Sequence, residues 1–155
     1  MPLMGGKNSC CYVCGPNNPL GLRVSFSPDG AQRSQARHTA RPEHAEWNGI
    51  LNGGVTFALM DEALGWPLYY RDLAAVTARV EMRFHKPIAV GAKLIVKPGV
   101  LKQRRRLFEA HAEIRVGGSN ATLLAQAGAT TCLISRRSEL EASSNGKEPN
   151  RASVQ

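Results

Sequence analysis

Apolar and polar residues alternate from Leu20 to Pro28, with Leu22, Val24 and Phe26 on one side and Arg23, Ser25 and Ser27 on the other. That period of two predicts a half-buried strand, closed by Pro28-Asp29-Gly30. Residues 31–41 form a weaker, more polar strand candidate that would pair with the first as a hairpin, and residues 42–51 read as an irregular loop. From Gly53 to about Arg71 the period changes. Val55, Leu59, Glu62 or Ala63, Trp66 and Tyr70 recur at helical spacing, and Ala58 and Leu64 widen the apolar face. Roughly five turns that are apolar almost all round predict a helix covered by protein on most sides. Pro67 is expected to end it early or kink it. Strand patterns then return over residues 75–86, 93–100, 105–116 and 121–135, separated by Pro-Gly, a basic turn and Gly-Gly-Ser-Asn. The last of these is rich in small apolar residues and suits a tightly packed sheet interior.

Two strands, one long buried helix and four further strands predict an α+β domain in which a single antiparallel sheet of about six strands wraps the helix. The outer edges of that sheet would be left to pair with another subunit. Residues 1–19, rich in Gly, Pro and Asn, read as an irregular lead-in, and residues 20–135 as the folded domain. Residues 136–155 read as a disordered basic and polar tail.

With 155 residues, 43% of them hydrophobic and 21% charged, the chain can bury a substantial core. No segment approaches the roughly 18 to 20 apolar residues that span a bilayer, and no signal-peptide pattern opens the chain. The expectation is a cytoplasmic protein that does not engage membranes. A formal charge of +8 favours anionic partners. The aromatic content of 6% and the lack of an aromatic-plus-basic stripe argue against nucleic acid. Cys10, Cys11 and Cys14 crowd the N-terminus, but neither a second Cys-x-x-Cys nor a His pair completes a zinc site. A packing role with no bound metal is the expectation.

Chemistry concentrates at the predicted helix. Gly53 and Gly54 at its start would leave backbone N–H groups uncovered where the dipole is positive, a setting that can hold a carbonyl oxygen as it becomes negative. Asp61, two turns further on, is flanked by Leu59, Met60, Ala63 and Leu64, which predicts a largely buried carboxylate with a chemical role or a partner. Glu62 points about 100° away and is assigned a structural role. His44 precedes the helix and could be structural or line a substrate site, and Trp66 could serve core and pocket alike. Arg104, Arg105 and Arg106 could be a solvated turn or recognise phosphate groups.

From Cys10 to Ile134 the order and spacing of several motifs resemble the hotdog-fold acyl-CoA thioesterases, in the branch of the phenylacetate-degradation enzyme. These are Cys11-Tyr-Val-Cys14-Gly15, then Asn18-Pro19-Leu20-Gly21-Leu22, and His44, Trp47 and Gly49. Asn52-Gly53-Gly54, Asp61-Glu62-Ala63, Val76-Thr77 and Phe84-His-Lys-Pro87 follow. The resemblance implies a curved sheet around a central helix, a homodimer or homotetramer with active sites at the subunit interface, and hydrolysis of an acyl- or aryl-CoA. No cofactor is implied, because coenzyme A belongs to the substrate. By position Asp61 matches the catalytic carboxylate, as general base or nucleophile, and Gly54 the N–H that polarises the thioester carbonyl. Thr77 matches a positioning hydroxyl that would come from the partner subunit's strand. Asn52 replaces the family's usual His; it can orient a thioester but cannot carry a proton. Another Asn usually lies six residues upstream of that His, where this chain has Glu46, with Asn48 two residues on. Gly53, His44, Asn48, Trp66 and the three arginines complete the substrate-binding expectation. The alternative is a non-catalytic acyl-CoA or acyl-lipid binding module of the same fold. A hydratase is less favoured, since no His stands at the helix mouth.

Overall fold

In the computed structural model, residues 10–118 and 121–144 are described; the expectations for residues 1–9 and 145–155 lie outside them. Strands β1 (Phe26–Pro28) and β2 (Ser34–Thr39) precede helix α1 (Gly53–Tyr69). Strands β3 (Leu73–Phe84), β4 (Lys93–Arg104), β5 (Leu107–Val116) and β6 (Thr122–Arg136) follow, then helix α2 (Arg137–Ser144). The six strands form one antiparallel sheet in the order β1-β2-β4-β5-β6-β3, and α1 packs against β3, β4 and β5. Register shifts in the β3–β6, β4–β5 and β5–β6 pairs bend the sheet around the helix.

The core lies between these layers. Leu59, Met60, Ala63 and Leu64 of α1 meet Phe26, Leu94, Val96, Ala112 and Ile114 of the sheet, all with almost no exposed surface. Strand β6 alternates Ala125, Ala127 and Ala129 inward, and these small side chains complete the closely packed layer under the sheet. It is an interior strand between β5 and β3, as its composition predicts.

Several boundaries depart from expectation. The first strand begins only at Phe26. Leu22 and Val24 are buried, but their N–H groups bond to the carbonyls of Tyr12 and Val13, so the lead-in takes the partner role that a strand would have had. Pro67 is buried within α1, which ends two residues later at Tyr69. Strand β4 runs on to Arg104, leaving Arg105 and Arg106 as the turn into β5, with Arg105 at φ 55°. The tail departs from the expectation of no structure beyond residue 135. Strand β6 includes Arg136, and Arg137–Ser144 is helical because Asp72 accepts from Ser138 N–H at 3.1 Å and Ser138 Oγ at 2.7 Å.

Candidate active site

The mouth of α1 is built by a cap. Asn52 is the N-cap residue, and its Oδ1 accepts from Gly54 N–H at 2.8 Å and Val55 N–H at 3.3 Å. Asn is favoured at this position because a short side-chain oxygen satisfies orphan N–H groups of the first turn. Contrary to the expectation of an uncovered Gly54 N–H, Asn52 covers it. The backbone of Asn52 is pinned as well, donating its N–H to His44 O at 3.0 Å and accepting from Thr56 Oγ1 at 3.1 Å. A Cβ on Gly54 would meet Asn52 Oδ1 at 3.0 Å, so glycine gives the cap room.

Two turns further along, Asp61 is half-buried rather than largely buried. Its Oδ1 accepts a hydrogen bond from Thr77 Oγ1 at 2.8 Å. The resemblance implies a Thr77 that reaches the carboxylate from a partner subunit, yet here it reaches Asp61 of its own chain. The register of β3 against β6 shifts between Thr77 and Arg79, and such a bulge re-aims the neighbouring side chain. The alternation of this edge strand is broken accordingly: Val76 is 52% exposed, while Thr77 bonds to the helix.

Asp61 and Thr77 line a cavity of about 580 Å³ with Glu62, Trp66, Tyr69 and Arg137. Trp66 is buried and stacks on Phe26 at 5.2 Å, and its Nε1–H donates to Glu62 Oε1 at 3.2 Å. It therefore serves core and cavity together. The guanidinium of Arg137 lies 4.5 Å from the centre of the Tyr69 ring, and forms ion pairs with Asp72 and Glu141. Neither Arg137 nor the cavity wall supplied by α2 was legible in the sequence, because the composition of the tail is that of an unstructured segment. Cys11 Sγ–H donates to Glu62 Oε2 at 3.8 Å. Burial, then the hydrogen bond and charge of Glu62, push the Cys14 thiol well above its usual range, so Cys14 is not a ready nucleophile.

The remaining expected site residues scatter. Gly53 lines a separate cavity of about 300 Å³ with Trp47, Thr56 and Phe84, and neither cavity touches Gly54, Asn52 or His44. His44 is buried, with Nε2 at 3.1 Å from Leu20 O and its ring edge-on to Tyr12, which makes it a tether for the lead-in. Asn48 and Gly49, at φ 51° and 73°, are the central residues of a turn closed by Ile50 N–H to Trp47 O at 3.1 Å. Asn48 is exposed there and has a turn-forming role. Arg106 donates to the carbonyls of Leu133 and Ile134, which fastens the hairpin to β6. Arg104 and Arg105 are exposed at the hairpin tip, away from the Asp61 cavity.

Residues 48–122 match the sequence model of the thioesterase superfamily, a span that contains α1, β3, β4 and β5. The chain has the hotdog fold. Among solved structures, a thioesterase superfamily protein superposes with a TM-score of 0.74 at 20% identity, covering 80% of this chain and 60% of its own. This chain thus spans somewhat over half the length of that relative. The E. coli PaaI protein from the phenylacetic acid degradation operon superposes at 0.68 with 19% identity, covering 74% of this chain and 82% of its own. A Streptococcus mutans protein bound to acetyl CoA superposes at 0.67 with 16% identity, covering 74% of this chain and 90% of its own. No curated protein matches by sequence. Among the described residues no helix is long and apolar enough to cross a membrane.

Proposed function

We propose that the protein hydrolyses acyl- or aryl-CoA thioesters to free acid and coenzyme A, with Asp61 as general base. The observation that carries this reading is the Asp61–Thr77 hydrogen bond at the wall of an aromatic-lined cavity. Thr77 holds Oδ1, which leaves the other carboxylate oxygen to take a proton from water. That water attacks the thioester carbonyl, the carbonyl oxygen becomes negative on the Gly54 N–H, and the C–S bond breaks. The departing thiolate recovers the proton from Asp61. In this reading the carbonyl oxygen takes the Gly54 N–H over from Asn52, so Asn52 acts as the cap that keeps the helix mouth formed between turnovers. Arg104 and Arg105 are left for the nucleotide phosphates of coenzyme A.

The complete site requires two copies of the chain. Gly54 and Asp61 stand seven residues apart on one helix, about 10.5 Å along its axis. A reacting carbonyl needs its oxyanion donor and its attacking water each within about 3 Å. Gly54, Phe57 and Asp61 fall on one stripe of α1, with Phe57 42% exposed, beside the unpaired edge of β3. A second copy seated on that stripe brings its Asp61 to the Gly54 of the first. In this reading the protein acts on its substrate as a homo-oligomer, in the cytoplasm.

The second reading is a non-catalytic acyl-CoA binding module, favoured by the occupation of the Gly54 N–H by Asn52. Thiol release and calorimetry on one panel of short, long and aryl acyl-CoAs separate the two. Thiol release above background for at least one class supports hydrolysis. Heat of binding without thiol release for every member establishes the binding module and refutes the enzyme.

A further inference from the structure

Three metal-ligating side chains outside the proposed reaction converge on one point. Among the described residues Cys11, Cys14 and Glu62 form the one group of three or more such donors whose ligand atoms all lie within 4.8 Å of one another. Two come from a turn of the lead-in and one from the centre of α1, so the fold, not local sequence, brings them together. We propose that Cys11, Cys14 and Glu62 bind a thiophilic divalent cation, of which zinc is the best fit, and that this ion clamps the lead-in against α1.

Four features carry the assignment. The spacing Cys11-Tyr-Val-Cys14 is half of a common zinc ligand set, and Gly15 N–H closes the turn on Cys11 O at 3.0 Å. The sequence alone favours a packing role for these cysteines because no further Cys or His completes a zinc set; the third ligand that the fold supplies is a carboxylate, which zinc accepts at about 2.0 to 2.2 Å. Glu62 is also oriented as a ligand would be. Trp66 Nε1–H holds Oε1 at 3.2 Å, and Oε2 is turned to the Cys11 sulfur at 3.8 Å. Hydrogen bonds that aim a ligating carboxylate in this way are the ordinary outer layer of a metal site. Finally, both cysteines and Glu62 line the cavity beside Asp61, so a fourth position is open to a water ligand. Binding requires both thiols to ionise, and two protons leave for each cation that enters.

The ion would add to an attachment made without regular secondary structure. Residues 10–20 contain no regular helix or strand and hold to the body through backbone bonds from Leu22 and Val24 to Tyr12 and Val13, the buried side chains of Val13 and Cys14, and the contact of His44 with Leu20 O. The clamp does not depend on Asp61 or on thioester hydrolysis, so it stands or falls separately from the proposed function.

The test is a titration of the full chain, reduced and stripped of metal, with cobalt(II) as a spectroscopic probe and zinc as competitor. The expected result is one equivalent of cobalt giving a thiolate charge-transfer band and the intense visible bands of tetrahedral cobalt, both erased by zinc. Cys11→Ser and Cys14→Ser lose the charge-transfer intensity, Glu62→Gln weakens binding at least tenfold, and Cys132→Ser leaves it unchanged. Because Cys11 is half-buried, Cys11→Ser keeps the test valid should Cys14→Ser fail to fold. Zinc at a hundredfold excess over its dissociation constant raises the melting midpoint by about 5 to 10 °C. The proposal is overturned if no thiolate band develops, or if the Cys11→Ser/Cys14→Ser double variant binds as tightly as the wild type. A Cys11–Cys14 disulfide that persists in mild reductant overturns it as well.

Discussion

Asn52 is where capping and chemistry meet, and two substitutions separate them. Asn52→Ala removes both cap bonds, at 2.8 and 3.3 Å. Gly54 is exposed, so water replaces its lost partner, and only the half-buried Val55 N–H is left poorly satisfied. The expected cost is about 1 kcal/mol, or roughly 2 to 4 °C in melting midpoint for a chain of this size. Asn52→Asp keeps the acceptor and adds a negative charge at the positive end of α1, which stabilises by about 0.3 to 1 kcal/mol. Catalysis moves the other way. A carboxylate about 4 Å from a developing oxyanion on Gly54 opposes it by roughly 4 kcal/mol at an effective dielectric of 20, which is on the order of a thousandfold in rate. Removing the side chain leaves the Gly54 N–H free and kcat/KM within about tenfold of wild type. Thermal melts and thiol-release kinetics on the three proteins provide both axes. An Asn52→Asp enzyme as active as wild type, or an Asn52→Ala enzyme as impaired as Asn52→Asp, would refute the assignment of the oxyanion to Gly54.

Three further outcomes follow from other contacts. Thr77→Val removes the 2.8 Å bond to Asp61 with little change in volume, and kcat is expected to fall by about 10- to 100-fold with folding intact; circular dichroism and steady-state kinetics check both halves. Tyr70 OH donates to Phe26 O at 2.6 Å and ties the end of α1 to β1, so Tyr70→Phe costs about 1 to 2 kcal/mol in denaturant unfolding. Burial, then the charges of Arg41 and His44, hold the pKa of His38 below its usual 6.5. The unfolded chain therefore binds this proton first, and the contribution of His38 is complete above pH 6.5 and is lost as pH falls through the folded-state value. Unfolding midpoints measured from pH 7.5 down to 5 are expected to decline in the wild type and to flatten in His38→Gln.

The sequence conveyed α1 and the sheet clearly, because residues 53–71 carry a helical period and strands such as β5 a period of two, and burial enforces both. Gly54 and Asp61 could be singled out because glycines and an acid interrupt an otherwise apolar pattern, whereas Asn52 and Thr77 stood out only through the family resemblance. What they do to one another was not legible. Thr77 reaches its own Asp61 through a bulge that alternation cannot reveal, and Asn52 covers Gly54 through side-chain geometry. Helix α2 escapes a sequence reading because its cap comes from Asp72, 66 residues earlier, so nothing local marks its start. The angular position of Glu62 on α1 separates it from Asp61, but its meeting with Cys11 and Cys14 depends on how the lead-in folds back across α1.

The most direct test of the central claim is kcat/KM for Asp61→Asn against wild type, on the best acyl-CoA found, with oligomeric state and melting midpoint measured alongside. Asn keeps the shape and an acceptor for Thr77 but cannot take a proton from water. The account predicts a loss of at least a thousandfold with fold and assembly unchanged. Turnover within tenfold of wild type would contradict it.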